Sequence, residues 1–201
     1  MDRLYLVFIL FLLFSCKPDS LSKKELTAFV SDEENGLKKS IDLGNIKVEV
    51  FYKPADLMVH QEISHDVIDI TALSALREKY KNYYYFIVSL SSDNKDALQQ
   101  TGDRYGELIQ TLSFRMNDYV TLTTPTMDTI PVRDFILNRT YGLSKSTDLL
   151  FVFDNEKALD KEWVQFNLNE LGLGIGNQRF RFRVSDLQQV PGIKFDMLKG
   201  S

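Results

Sequence analysis

Cysteine is nearly absent from this chain: Cys16 is the single one in 201 residues. No internal disulfide can form, and no cysteine cluster with metal-ligand spacing exists. Positive charge is not in excess either. The formal net charge is -4, so the chain lacks the basic footprint of a nucleic-acid binder. Proline is scarce, at five residues, while apolar residues make up 44% and aromatics 12%. That balance excludes a disordered chain and predicts a packed, globular one whose stability comes from its core. No apolar run is long enough to span a bilayer, which takes about 20 residues. The longest, Leu4 to Phe14, has the length of a signal-peptide core instead.

That run ends in Leu13-Phe14-Ser15-Cys16, with a small residue directly before the cysteine. The pattern resembles the lipobox of bacterial lipoproteins. The resemblance implies that the peptide is cut before Cys16 and that Cys16 is lipidated. It covers residues 1–16 only. Each buried CH2 of an acyl chain contributes about 0.8 kcal/mol, and more than one chain makes anchoring stable. In that family an Asp after the cysteine retains the product in the inner membrane; Lys17 stands here, which favours the outer membrane. The expected location is therefore a lipid-anchored, periplasmic or surface-facing one, with the membrane itself as one partner.

The expected organisation is a signal peptide over 1–15, a lipidated cysteine and tether over 16–21, and one α+β domain over 22–201. A sub-boundary near residue 117 stays open. Ser22-Lys23-Lys24-Glu25 fits a capping box, and Leu26, Phe29 and Val30 follow at helical spacing. Ile46, Val48 and Val50 alternate with Lys47 and Glu49, a half-buried strand that Pro54 ends. A helix is expected over about 64–81, with Val67, Ile70, Leu73, Leu76 and Tyr80 inward. Tyr83 to Leu90 reads as a central strand covered on both faces. A second helix, capped by Asp93, would carry Leu98, Tyr105, Leu108, Ile109 and Leu112.

Beyond Asn117 strands dominate: 119–124, 130–138, 149–153, 163–168 and 179–184. The alternation Arg179-Phe180-Arg181-Phe182-Arg183 pairs naturally with Val164, Phe166 and Leu168 across the loop Gly172 to Asn177. Strand-helix-strand-helix-strand and then a meander predicts an α+β fold: a mixed sheet, two N-terminal helices and a C-terminal antiparallel meander. An N-terminal layer on a C-terminal sandwich is the alternative.

Three patterns invite a catalytic, metal or phosphate reading and do not sustain it. His60, Glu62, His65 and Asp66 suggest zinc, but histidines five apart lie about 140° apart on a helix. Ser20-Leu21-Ser22-Lys23 and Ser92-Asp93-Asn94 match two signatures of penicillin-binding enzymes, yet the third, KTG, is missing. Gly172, Gly174 and Gly176 could cradle a phosphate only if a helix followed, and a strand follows. Asp19-Ser20-Leu21 and Asp128-Thr129-Ile130 resemble a short O-glycosylation signal of some Gram-negative bacteria. No catalytic residue, metal ligand or cofactor is assigned.

Two features remain as candidate binding residues. Arg179, Arg181 and Arg183 share one strand face, roughly 7 Å apart, a row able to grip phosphates or carboxylates. The competing reading is a solvated face with acids on the neighbouring strands. Trp163, the single tryptophan, falls opposite Val164, Phe166 and Leu168 and could anchor a partner. Three functions fit: a non-catalytic anchored lipoprotein binding another envelope protein, an anchored envelope hydrolase, and an anion- or glycan-binding module.

Overall fold

The computed structural model describes residues 19–63, 67–93, 95–100, 102–138 and 145–197. The chain starts with β1 (Ser20–Leu21) and α1 (Lys23–Ser31). The expected capping box closes α1: Ser22 Oγ accepts from the Glu25 N–H, and Glu25 accepts from the Ser22 N–H at 2.9 Å. A hairpin follows, β2 (Lys38–Leu43) and β3 (Ile46–Tyr52), with Val48, Val50 and Tyr52 buried.

Next come α2 (Ala55–Glu62), β4 (Val67–Ile68), α3 (Ile70–Tyr80), β5 (Tyr83–Ser92) and β6 (Lys95–Asp96). The helix expected over 64–81 is shorter, because Asp69 caps it by accepting from the Thr71 and Ala72 N–H groups. Its inward stripe is also narrower. Leu73 packs on Val59 of α2, flanked by Ile63, Leu76 and Tyr80, whereas Ile70, in the first turn, is 66% exposed.

The second expected helix is broken. Two 3-10 turns, Ala97–Gln100 and Gly102–Arg104, precede α4 (Tyr105–Phe114). Gly102 sits at φ +53°, a left-handed conformation that no continuous α-helix accepts. Leu98, Leu108 and Leu112 still reach the core, and Tyr105 does not.

The C-terminal half holds β7 (Val120–Thr123), β8 (Thr129–Pro131), β9 (Asp134–Asn138), β10 (Thr147–Asp154), β11 (Trp163–Leu168) and β12 (Gln178–Arg183). It closes with α5 (Val184–Gln188), β13 (Gly192–Ile193) and β14 (Asp196–Met197). The strand expected over 130–138 is two strands in two different sheets. Pro131 has no N–H to donate and ends β8 on a sheet edge, after which the chain crosses to β9.

The fold is α+β, and two sheets form its body. The larger runs β2-β3-β5-β10-β9 with β6 added on β5; the smaller runs β12-β11-β7-β8. All pairs within both are antiparallel, so the expected mixed sheet is corrected. The reason lies in α2, a helix not expected from the sequence. One crossover helix returns the chain to start a parallel strand, but two consecutive helices bring it back antiparallel. Parallel pairing is confined, among the described residues, to β1 with β13 and β4 with β14.

The sheets pack face to face through aromatic rings. Phe86 lies 5.6 Å from Phe166 and 5.0 Å from Phe182, and Phe151 and Phe153 meet Phe166 at 5.7 and 6.0 Å. Strands from both sides of residue 117 share the larger sheet, and one core runs through both halves. Tyr84, 2% exposed in that core, has no hydrogen-bond partner for its hydroxyl among the described residues; burial pushes its pKa up to about 12.

Candidate functional site

The hairpin β11–β12 has the register that the alternation implied. Trp163 faces Arg183, Gln165 faces Arg181, and Asn167 faces Arg179. Phe166, Phe180 and Phe182 point inward, so the three arginines and Trp163 emerge on the outer face of the smaller sheet. On the next strand, Thr123 and Thr121 stand opposite Gln165 and Asn167. The exposed surface is a grid of arginine, tryptophan, amide and hydroxyl groups.

Hydrogen bonds tie the grid together. Arg181 Nη2 donates to Gln165 Oε1 at 3.2 Å, and Gln165 Nε2 donates to Asn167 Oδ1 at 2.9 Å. Asn167 Nδ2 reaches Thr123 Oγ1 at 3.2 Å and Thr121 Oγ1 at 3.4 Å. The Arg181 guanidinium lies 3.9 Å over the Trp163 ring, a cation–π stack that leaves its N–H edges outward. No carboxylate occupies a cross-strand position on this face. Among the described residues none of the three arginines forms an ion pair. The competing picture of arginines neutralised by neighbouring acids therefore lacks its acids. Gln165 and Asn167 complete the face by the same alternation that exposes Trp163, whereas Thr121 and Thr123 were invisible to sequence reasoning, because nothing local fixes that β7 lies beside β11.

The glycine loop between β11 and β12 does cradle an anion, but the anion is its own. Glu170 accepts from the Gly174 N–H at 2.9 Å and from the Gly176 N–H. Burial opposes ionisation of Glu170, and the N–H groups of Gly174, Gly176, Gly172 and Leu173 outweigh it, holding the carboxyl below the usual range. A phosphate would have to displace that carboxylate.

The other patterns are dispersed. His60 sits on α2 with its ring 6.0 Å from Phe195, while Glu62 accepts from Lys79 at 2.8 Å and from Tyr80. His65, Asp66 and Asn94 lie outside the described residues, as does Cys16. Among the described residues no group of His, Cys, Asp and Glu could hold a metal ion. None of their helices is long and apolar enough to cross a membrane. Ser20 is in β1 and Ser22 caps α1, so the SxxK match is spent on a strand and a helix cap. The Ser20 and Thr129 residues of the two glycosylation-like tripeptides are both exposed.

Two concavities among the described residues bear on the search for a site. One of about 600 Å³ lies where residues 19–21 enter the domain. Arg77 pairs with Asp56 there through two bonds, 2.9 and 2.7 Å, and Asp56 also accepts from the Ile193 N–H at 2.7 Å. Those bonds hold β13, onto which β1 pairs. The other cavity, of about 190 Å³, lies between the β2–β3 turn, the start of α4 and the glycine loop.

No protein-family model and no curated protein matches this chain. Two solved structures are similar to it. One is a protein of unknown function from Burkholderia pseudomallei, at 11% identity and a TM-score of 0.43, covering 86% of this chain and 94% of its own. The second is a DUF4426 family protein from Pseudomonas aeruginosa, at 13% identity and a TM-score of 0.39, covering 73% and 91%.

Proposed function

We propose that this protein is a non-catalytic bacterial lipoprotein, anchored through lipid on Cys16, that binds an acidic glycan across the outer face of its smaller sheet. The observation that carries the reading is the row Arg179, Arg181 and Arg183 with amides, hydroxyls and a tryptophan, and no acid, at the cross-strand positions of the face. Guanidinium forks match carboxylates and phosphates, amide and hydroxyl groups match sugar hydroxyls, and an open sheet face accommodates an extended polymer. Leu13, Ser15 and Cys16 support the anchor, and Lys17 supports outer-membrane placement. Docking of another envelope protein on the same face is the second reading, favoured by the partly exposed Trp163. Charges on β12 also discourage edge-to-edge pairing, since β12 ends its sheet.

The test replaces Arg179, Arg181 and Arg183 together by Gln and measures retention on an acidic polysaccharide matrix across a salt gradient. The wild type should be retained and the variant should flow through at low salt. Equal retention of both rejects the arginine face as the binding surface. Cys16→Ser should move the protein from the membrane to the soluble fraction, and unchanged membrane association rejects the anchor.

A further inference from the structure

The smaller cavity carries chemistry that the arginine face does not use. Arg104, the residue before α4, lines it and forms no ion pair among the described residues. Gly172, at φ +82°, makes room for that guanidinium: a Cβ at position 172 would collide with Arg104 Nη2. The glycine loop thus shapes the cavity without giving its own N–H groups to it, because Glu170 occupies them.

Ser92, 1% exposed, lines the same space and accepts from Asn45 Nδ2 at 3.4 Å. A hydroxyl that accepts in this way keeps its own O–H to donate. The α4 terminus has no side-chain cap, so its positive end adds to the Arg104 charge. The remaining walls are apolar, chiefly Ile46, Leu108 and Leu173. A volume of about 190 Å³ is smaller than a drug-sized site. One cationic, hydrogen-bonding end and one apolar end in so small a space select a small amphiphilic anion.

We propose that this cavity binds a short-chain monocarboxylate, with its carboxylate on Arg104 and Ser92 and its tail against Ile46, Leu108 and Leu173. The site is separate from the arginine face, so the Arg179/Arg181/Arg183 triple variant should bind the same ligand unchanged.

The probe is hexanoate, titrated calorimetrically into the full chain in detergent, with hexanol and inorganic phosphate as controls. Saturable one-site binding of hexanoate is expected, with none for hexanol and weaker binding for phosphate. Losing a charge-assisted hydrogen bond predicts an affinity drop of about tenfold or more in Arg104→Gln. Arg104→Lys keeps the charge without the fork and should bind more weakly than wild type. Leu173→Trp, which fills the tail end from a half-exposed loop position, should abolish binding while Arg104 stays in place. Absence of saturable binding overturns the proposal. So does equal affinity for hexanol, tighter binding of phosphate, or unchanged hexanoate affinity in both Arg104→Gln and Leu173→Trp.

Discussion

On the outer face of the smaller sheet, Arg179, Arg181 and Arg183 stand beside Trp163, Gln165 and Asn167. On the outer face of the larger sheet, the register aligns Phe51, Ile87, Leu150 and Ile136 across four strands. Each sheet hides an apolar inner face in the shared core, yet the outer faces are handled differently. The larger one is partly roofed: α2 and α3 pack together at its end, and Tyr85 is buried there with its hydroxyl donating to the Tyr80 carbonyl. Farther along, its charges are paired, with Glu49 held by Lys38 at 2.8 Å and Lys47 at 2.9 Å. Burial opposes ionisation of Glu49, but the two lysines prevail and lower its pKa. The smaller face leaves its three arginines exposed, and among the described residues they form no ion pair. A sheet face whose charges are neutralised is finished as a surface. One whose charges are left open is available for a ligand of opposite sign.

The largest effect should come from breaking what the two faces share. Phe166 is fully buried and touches Phe86, Phe151 and Phe153 from across the sandwich. Phe166→Ala should cost about 3–5 kcal/mol in denaturant-monitored unfolding and loosen both faces together. Loss of one face alone would mean that the sheets are less coupled than their packing implies.

Alkaline pH gives the next largest effect. Tyr84 ionises near 10 when unfolded and near 12 when folded, so the folded state retains a proton that the unfolded state loses. Its contribution is fully present below pH 10 and is lost as pH rises towards 12, at about 2–3 kcal/mol. Burial raises Tyr52 and Tyr85 as well, which adds to the same trend. Tyr84→Phe should flatten the stability profile between pH 10 and 12, and a profile identical to wild type would contradict the buried, unpartnered hydroxyl.

The smallest effects sharpen the contrast between the faces. Arg181→Gln removes the stack on Trp163 and should cost about 0.5–1 kcal/mol, with a red shift in tryptophan emission as the indole gains water. Ile136→Thr, at a position 58% exposed, should change stability by no more than about 0.5 kcal/mol. A much larger loss at Ile136 would show that the larger outer face is covered in solution.

Much of the local structure was legible. The Ser22–Glu25 box, the alternation of 46–50 and the pairing of 163–168 with the strand expected over 179–184 each rest on residues close in sequence. Two expected elements are interrupted by single residues. Gly102 breaks the helix expected from Asp93 onward, and Pro131 divides what looks like one strand. Pro54 both ends β3 and occupies the position just before α2, so one proline closes a strand and opens a helix that no expected pattern covers. That additional helix makes β3 and β5 antiparallel. At the candidate site, Arg179, Arg181, Arg183 and Trp163 were identifiable from alternation alone. The cavity at Arg104 was not, since its walls come from four separate stretches of chain, at 45–46, 92–97, 104–108 and 172–173.

Alternation by itself determined that the three arginines share a face, because successive residues of a strand point to opposite sides. It could equally have set them against acids. The hairpin pairing set Gln165 and Asn167 beside β12, and tertiary structure decided the next strand, bringing Thr121, 46 residues before Asn167, to the far side of β11. A side chain's direction is fixed by its own backbone, whereas its neighbours are fixed by which strands the core brings together.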